Sequence, residues 1–324
     1  MTDTSRPELS IVVTIYNAEK MINRLVERII ATTNEMHISY EIVMVDDGSR
    51  DNSAFMMEEL SRANKAIKSV VLSRNFGQQI AMSAGIHYAK GNYVLIMDGD
   101  LQNPPEAIPT FYNAAKSGYD IVYASASSRN NLIDRSTSWL FWLFLKSIMK
   151  VNIVRNQLMM RMLNRRVANY FCDYPEKVRT IAAITHDIGM KYTVLHIDNN
   201  KRLFGKSNYS TLKRLDLAID VLLDLSNHPL SMVFYLGLTT LCLTSVGFIY
   251  YLHSYMTANV LPGFTSLVLI VMFFGSLNLI SLGIIARYVS NVYSEVKHRP
   301  LFLTRKTVNT DEINIRIKPQ TGMN

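Results

Sequence analysis

The chain of 324 residues carries 34 Lys and Arg against 26 Asp and Glu, a net charge of +8, and 48% of it is hydrophobic. That is length for about two domains and enough apolar residue for a sizeable core, and two distant cysteines, Cys172 and Cys242, exclude a disulfide framework and fit a reduced compartment. The basic residues are dispersed, which argues against nucleic acid and for anionic lipid headgroups or phosphate-bearing substrates.

The opening MTDTSRPELSIVV lacks a basic segment leading into an apolar run and a cleavage site, so no secretory signal is expected. From there to about residue 125, short β-branched runs alternate with helical stretches. Leu9 to Tyr16, Tyr40 to Asp46, Ser69 to Ser73, Tyr93 to Asp98 and Tyr119 to Ser125 read as strands, nearly all apolar as in a sheet covered on both faces. Between them Ala18 to Thr33, Ser53 to Asn64, Gln79 to Ala89 and Pro105 to Ser117 read as helices, so the expected fold is α/β with a mostly parallel sheet. Ligands of such sheets sit outside the carboxyl ends of the strands. Here those ends read Tyr16-Asn17, Asp46-Asp47-Gly48-Ser49, Ser73-Arg74-Asn75, Asp98-Gly99-Asp100 and Ser125 to Arg129, nearly all polar or charged.

From about 130 to 228 the pattern changes to amphipathic segments. STSWLFWLFLKSIMK (136 to 150) fits either core or interface, while TLKRLDLAIDVLLDL (211 to 225) puts Leu212, Leu215, Ile219 and Leu222 on one face and is expected to lie at a membrane surface. Leu230 to Leu252 and Phe264 to Ala286 then run without one charged residue. Each has roughly the 20 residues that cross a hydrocarbon core, so two transmembrane helices are expected; two buried helices of a soluble core are the other reading. Lys213, Arg214, Arg287, Lys297 and Arg299 flank the pair and the hairpin between carries no Lys or Arg, which places both termini in the cytoplasm. The expected organisation is a catalytic domain with juxtamembrane helices over 1–228, a transmembrane hairpin over 229–288 and a cytoplasmic tail over 289–324.

Two acidic clusters carry the chemistry. In YVLIMDGDLQNPPE, Asp98 and Asp100 share parity at a strand end, Gly99 allows a turn, and Gln102 adds a neutral oxygen on the same parity. Two such carboxylates repel unless a cation sits between them, and Mg²⁺ or Mn²⁺ shared with substrate phosphates suits them. In VDDGSRDNS, Asp46 and Asp47 offer acceptors for ribose hydroxyls or a base N–H, and Asp51 or Ser53 is expected to cap the next helix. Each cluster alone reads equally well as a solvated turn. Together they point to a metal-bound nucleotide diphosphate.

The set VVTIYNAE (12 to 19), VDDGSRDNS, LSRNFGQQIAMSAGIHYAKG (72 to 91), MDGDLQNPPE, SSR (127 to 129), KRLFGKSNYS (201 to 210) and RYVSNVYSEVKHRP (287 to 300) resembles the polyprenyl-phosphate glycosyltransferases of glycosyltransferase family 2, in the family's order over about residues 9 to 300. The resemblance implies a GT-A fold and transfer of a sugar, with inversion, from a nucleotide-sugar donor to the phosphate of a membrane polyprenol. For a bacterial member that means a UDP-sugar, undecaprenyl phosphate, the inner membrane, and a lipid-linked sugar used in cell-envelope glycan or O-antigen modification. It implies that Asp98, Asp100 and Gln102 hold the metal, and that Tyr16, Glu19, Asp46 and Asp47 line the nucleotide site. Arg202 and Ser207 would lie over the diphosphate, while Arg129 and Arg135 would receive the acceptor phosphate. Asp100, Arg129 and Arg202 would carry the transfer itself, and a homo-oligomer is expected, for which the resemblance makes a tetramer plausible.

Two departures stand out. Relatives that begin Pro-x-Tyr-Asn-Glu correspond here to Thr14-Ile15-Tyr16-Asn17-Ala18, with a carboxylate next at Glu19. Where many carry Asp-Phe-Arg-Leu, this chain reads Met159-Met160-Arg161-Met162, so no role passes to the missing aspartate, and Arg161 is expected to form a structural ion pair. A processive polysaccharide synthase would carry a Gln-x-x-Arg-Trp helix and more spans, neither of which is present. A nonenzymatic scaffold on the same fold would be expected to lose its metal ligands, and a transferase with another lipid or glycan acceptor would share the whole domain.

Overall fold

The computed structural model describes residues 6–126, 157–174, 189–197, 263–297 and 299–310, with Thr239, Val246, Ile249 and His253 as isolated helical positions. The strand β1 (Leu9–Ile15) is buried along its whole length and lies between β2 (Tyr40–Asp46) and β4 (Tyr93–Asp98), parallel to both. Outside β2 comes β3 (Ile67–Leu72), also parallel. With β5 (Ile121–Ala126), β6 (Gln157–Asn164), β7 (Tyr192–Ile197) and β8 (Thr304–Val308), the sheet has the order β7-β5-β6-β4-β1-β2-β3-β8.

Alternation along the strands divides the core between two faces. Leu9, Ile11, Val13 and Ile15 of β1, Ile42 and Met44 of β2, and Leu95 and Met97 of β4 pack on one side. Against them lie α1 (Ile22–Glu35) and α4 (Ile108–Lys116), with Met57 from α2 (Ser53–Ala63). Val12, Val43, Val45, Val94 and Ile96 face the other way, onto α3 (Gln78–Tyr88) and α5 (Arg165–Asp173). Such side chains stabilise the fold by roughly 1.5–3 kcal/mol each in leaving water. The early strands and helices therefore stand where their sequence patterns put them, in three layers.

Two helix starts differ for local reasons. The first helix was expected from Ala18 and begins at Ile22, because Ala18 N–H donates to Ser53 Oγ and Glu19 N–H to Asp51 Oδ2, holding this loop out of the helix. Asp51 and Ser53 thus tie two loops together; Asn52, the residue before α2, makes no side-chain cap, and Asp51 Oδ1 instead accepts the N–H of Ser53, the first residue of the helix, at 3.0 Å. The stretch from Pro105 opens as a 3₁₀ turn (Pro105–Ala107) before α4, whose Pro109 falls in the first turn, where a missing N–H costs nothing.

The mixed character of the sheet comes from its later strands. β6 inserts antiparallel between β4 and β5, β7 runs parallel to β5, and β8 pairs antiparallel with β3. Residues 304–308, read from the sequence as part of a tail, are thus an edge strand of this sheet. Leu301 and Phe302 just before it are buried, Phe302 edge-on to His87 at 5.9 Å. Lys306 pairs with Glu58 at 2.6 Å.

A second unit contains α6 (Phe264–Val296), 33 residues long. It covers the second expected span, and its stretch Phe273–Ser290, with mean hydropathy 1.3, is long and apolar enough to cross a membrane. Leu267, Phe273, Leu279 and Leu282 are exposed on it. Of the first expected span, Leu230 to Leu252, Thr239, Val246 and Ile249 are the described residues, each helical and exposed, and both amphipathic segments lie outside the described residues.

Candidate functional site

Register brings the acidic strand ends to one level. Ile15 of β1 pairs with Asp46 of β2, and Thr14 pairs with Asp98 of β4, so the two clusters flank the end of β1. At a strand spacing of about 4.8 Å they stand roughly 10 Å apart. Two glycines make the turns possible. A Cβ at Gly48, which has φ +68°, would sit 2.5 Å from the Arg74 carbonyl carbon, and one at Gly99 would meet Ile15 Cδ1 at 2.6 Å.

The loops after β1 and β2 are closed onto each other. Asn17, at φ 49°, donates its N–H to Ser49 Oγ and accepts from Arg50 N–H at its side chain, both at 2.9 Å. Glu19 Oε2 accepts from Asn52 N–H at 3.1 Å, so its carboxylate braces this loop pair at the rim of the site. Tyr16, 44% exposed, stands just past the end of β1.

Asp46 and Asp47 turn to opposite sides of the sheet. The Asp46 carboxylate accepts from Ser49 N–H at 3.1 Å, and Asp47 accepts from Phe76 N–H at 2.7 Å and Gly77 N–H at 3.0 Å, where α3 begins. Burial pushes both carboxyls above the usual carboxylate range; hydrogen bonds from Ser49 oppose it at Asp46, and those from Phe76 and Gly77 at Asp47. At Asp51 burial also pushes upward, but bonds from Ser53 and Glu19 outweigh it and leave the group low. Asp51 is thus held as a structural anion. Asp46 and Asp47 are desolvated acceptors whose charge wants a further donor.

The same helix end reaches the second cluster. Gln78, first residue of α3, donates Nε2 to Asp98 Oδ1 at 2.5 Å. Beyond Asp98 the chain bends sharply: Leu101 adopts φ 58° and plunges into the core, while Asp100 Oδ1 accepts from Gln102 N–H at 3.1 Å. A branched residue in the left-handed region is strained and persists only where its surroundings demand it. Here the bend lets Leu101 be buried beside a more exposed Asp100.

The bend fits a hard divalent cation. Asp98, Asp100 and Gln102 lie within it, and Asn103 Oδ1 is buried there without a hydrogen-bond partner among the described residues. No group of three or more His, Cys, Asp or Glu suited to a metal occurs among the described residues. That donor set is too small for an all-protein cage and suits an ion that shares its sphere with phosphate and water.

Of the residues singled out from the sequence, Asp46 and Asp98 end β2 and β4, and Tyr16, Glu19, Asp47, Asp100 and Gln102 follow the ends of β1, β2 and β4, three neighbouring strands. Arg129, Arg135, Arg202 and Ser207 lie outside the described residues. Sequence reasoning missed Gln78, which bonds Asp98 from the same helix start whose Phe76 and Gly77 bond Asp47; its only signal was the Gly-Gln step that starts α3. It also expected an ion pair for Arg161. Instead, this buried guanidinium bonds the carbonyls of its own strand, Nε to Met159 O at 3.1 Å and Nη2 to Leu158 O at 3.5 Å.

Comparison with known proteins gives a consistent result. The family model for glycosyl transferase family 2 matches residues 10–173. Uncharacterized glycosyltransferase sll0501 of Synechocystis is 36% identical over 91% of this chain and 94% of its own length. YkcC of Bacillus subtilis, an uncharacterized glycosyltransferase, is 32% identical over 93% and 94%. Undecaprenyl-phosphate 4-deoxy-4-formamido-L-arabinose transferase of Pectobacterium carotovorum is 30% identical, again over 93% and 94%.

Proposed function

Because this chain belongs to glycosyltransferase family 2, we propose that it is an inverting transferase that moves a sugar from a UDP-sugar to the phosphate of undecaprenyl phosphate at the bacterial inner membrane. The observation that carries the donor half is the start of α3, where Asp47 is bonded to Phe76 and Gly77 while Gln78 bonds Asp98. One rigid helix end thereby fixes acceptors for a nucleoside beside carboxylates for a diphosphate-bound cation. The lipid half is supported by a near full-length relative named for an undecaprenyl-phosphate substrate and by the apolar length of α6.

The reaction asks little acid–base chemistry of the protein. A phosphate monoester is largely ionised at neutral pH, so its oxygen attacks the anomeric carbon without a strong general base. As that bond forms, the bond to the donor diphosphate breaks and the nucleoside diphosphate leaves with the electron pair. The protein's work is to hold two anions in line against their repulsion. Asp98, Asp100 and Gln102 would hold Mg²⁺ or Mn²⁺, which neutralises charge on the leaving diphosphate. Tyr16 offers a stacking face, Asp46 and Asp47 accept from base or ribose, and Glu19 braces the loop that carries Tyr16. By family resemblance Arg202 and Ser207 take the diphosphate and Arg129 and Arg135 the acceptor phosphate, arginine forks being suited to both. The product is a lipid-linked sugar for envelope glycan or O-antigen modification, made by a homo-oligomer.

The test incubates the full chain in detergent with undecaprenyl phosphate, Mg²⁺ or Mn²⁺ and a panel of nucleotide sugars, following nucleoside diphosphate release and lipid mass. One donor should give a glycosylated lipid phosphate, and EDTA should stop the reaction until metal is returned. Asp100→Asn should cost about 100-fold or more in kcat, as loss of charge stabilisation at a leaving group does, with an unchanged melting temperature. Nucleotide release with a different acceptor only would overturn the polyprenyl-phosphate reading. An active Asp100→Asn would overturn the metal assignment.

A further inference from the structure

Arg161 is the buried charge that the site described so far leaves unused. It stands on β6 opposite Ile96 of β4 and Tyr123 of β5, on the face covered by α3. β6 is antiparallel to β4, so Met159, two residues back, falls level with Asp98, two residues beyond Ile96 on that same face. The bonds from Nε to Met159 O and from Nη2 to Leu158 O lay the side chain along its own strand, and thus toward the level of Asp98. Its Cζ lies 6.0 Å from the centre of the Tyr123 ring.

This arrangement is costly as packing. The residue is 3% exposed, and its Nη1 is one of three buried side-chain atoms without a hydrogen-bond partner among the described residues. Burial weakens the guanidinium's hold on its proton, and the Tyr123 hydroxyl and Asp98 carboxylate strengthen it. An apolar residue of similar volume would fill the space without that penalty, as Met160 and Met162 do on the opposite face.

We propose that Arg161 is a positioning residue for the donor diphosphate: a fixed positive charge beside the end of β4 that holds the Asp98 carboxylate toward the strand end and offsets the anionic charge gathered there. The inference rests on the donor site of the preceding section. Gln78 grips Asp98 from α3, and Arg161 supplies the charge on the side of β6. A charge at this place acts on the leaving group, so its loss falls on nucleotide binding and on kcat/KM for the donor, and not on affinity for the lipid.

The experiment uses the full chain in detergent with Arg161→Met, Arg161→Gln and Arg161→Lys, measuring the binding of UDP and of GDP, each with Mn²⁺, by titration calorimetry, and the melting temperature of each variant. Met should leave the melting temperature unchanged or higher and weaken nucleotide binding about tenfold or more, the size expected when one charge-assisted partner is removed. Lys should recover a large part of the binding and Gln little of it. Should the Met variant fail to fold, the Lys and Gln variants decide, since both can still donate to the strand carbonyls and differ in charge. Nucleotide binding equal to wild type in the Met variant, or equal in Lys and Gln, overturns this role and leaves the donor site standing. Wild-type protein that binds neither nucleotide overturns the donor site itself.

Discussion

Asp47 accepts two backbone N–H bonds and still holds its proton more tightly than an exposed carboxyl, because burial outweighs them; Asp46 behaves alike. A carboxyl raised by folding contributes stability below its unfolded value, about 3.9 for Asp, and loses it as pH rises through the raised folded value. The nucleotide-free protein should therefore lose stability from about pH 4 upward on account of these two groups, while Asp51, held low, works in the opposite sense. Nucleotide binding wants both groups ionised as acceptors, so affinity should fall on acidification at a pH above the ordinary carboxylate range. Melting curves and nucleotide titrations across pH, for wild type and Asp47→Asn, separate this from the titration of the rest of the chain. Part of the acid limb should vanish in the variant. An acid limb at the same pH in both would show that Asp47 does not titrate on binding.

At the scale of elements, the last strand gives the sharpest test. Phe302 is buried against His87 and Tyr88, and Ser73 N–H donates to Leu303 O at 2.8 Å, so this stretch seals the edge of β3 and one end of α3. Phe302→Ala should cost about 3–5 kcal/mol, typical of an aromatic truncated in a core, and lower the melting temperature by several degrees. A merely solvated tail would give no change. The sequence showed little of this. β1 to β5 were legible because each is a local β-branched run bounded by polar turns. β8, Thr-Arg-Lys-Thr-Val, is short and half charged, and pairs with a strand more than two hundred residues earlier. β6 is rich in Met, which favours no strand, and its identity as a strand follows from slotting between β4 and β5. The site divides in the same way. The acidic clusters were legible since each is contiguous and ends a strand. Gln78 and Arg161 were not, because what they touch depends on how α3 docks and on the register of β6 against β4, neither of which is written locally.

For the whole molecule the open quantity is which side of a bilayer each part meets. At 1.5 Å per residue α6 is about 50 Å long, more than a hydrocarbon core of roughly 30 Å, so its apolar part from Phe264 can span while the turns after Arg287 emerge. Only a few residues separate Val296 from Thr304, and β8 is already hydrogen-bonded to β3. A chain that short cannot recross a bilayer. If α6 spans, residues after it would face the same compartment as the strand ends proposed to bind nucleotide, in keeping with the basic flank at Arg287, Lys297 and Arg299. Gly263, just before α6, should face the other compartment. With Cys172 and Cys242 replaced by Ser, single cysteines at Arg299→Cys and Gly263→Cys can be challenged with an impermeant maleimide in sealed vesicles of either orientation. Position 299 should react from the side on which added nucleotide sugar is consumed, and position 263 from the opposite side. Reaction of both from one side would mean that α6 lies along the membrane or packs on protein, and the acceptor lipid would then have to be reached without a spanning helix at this point of the chain.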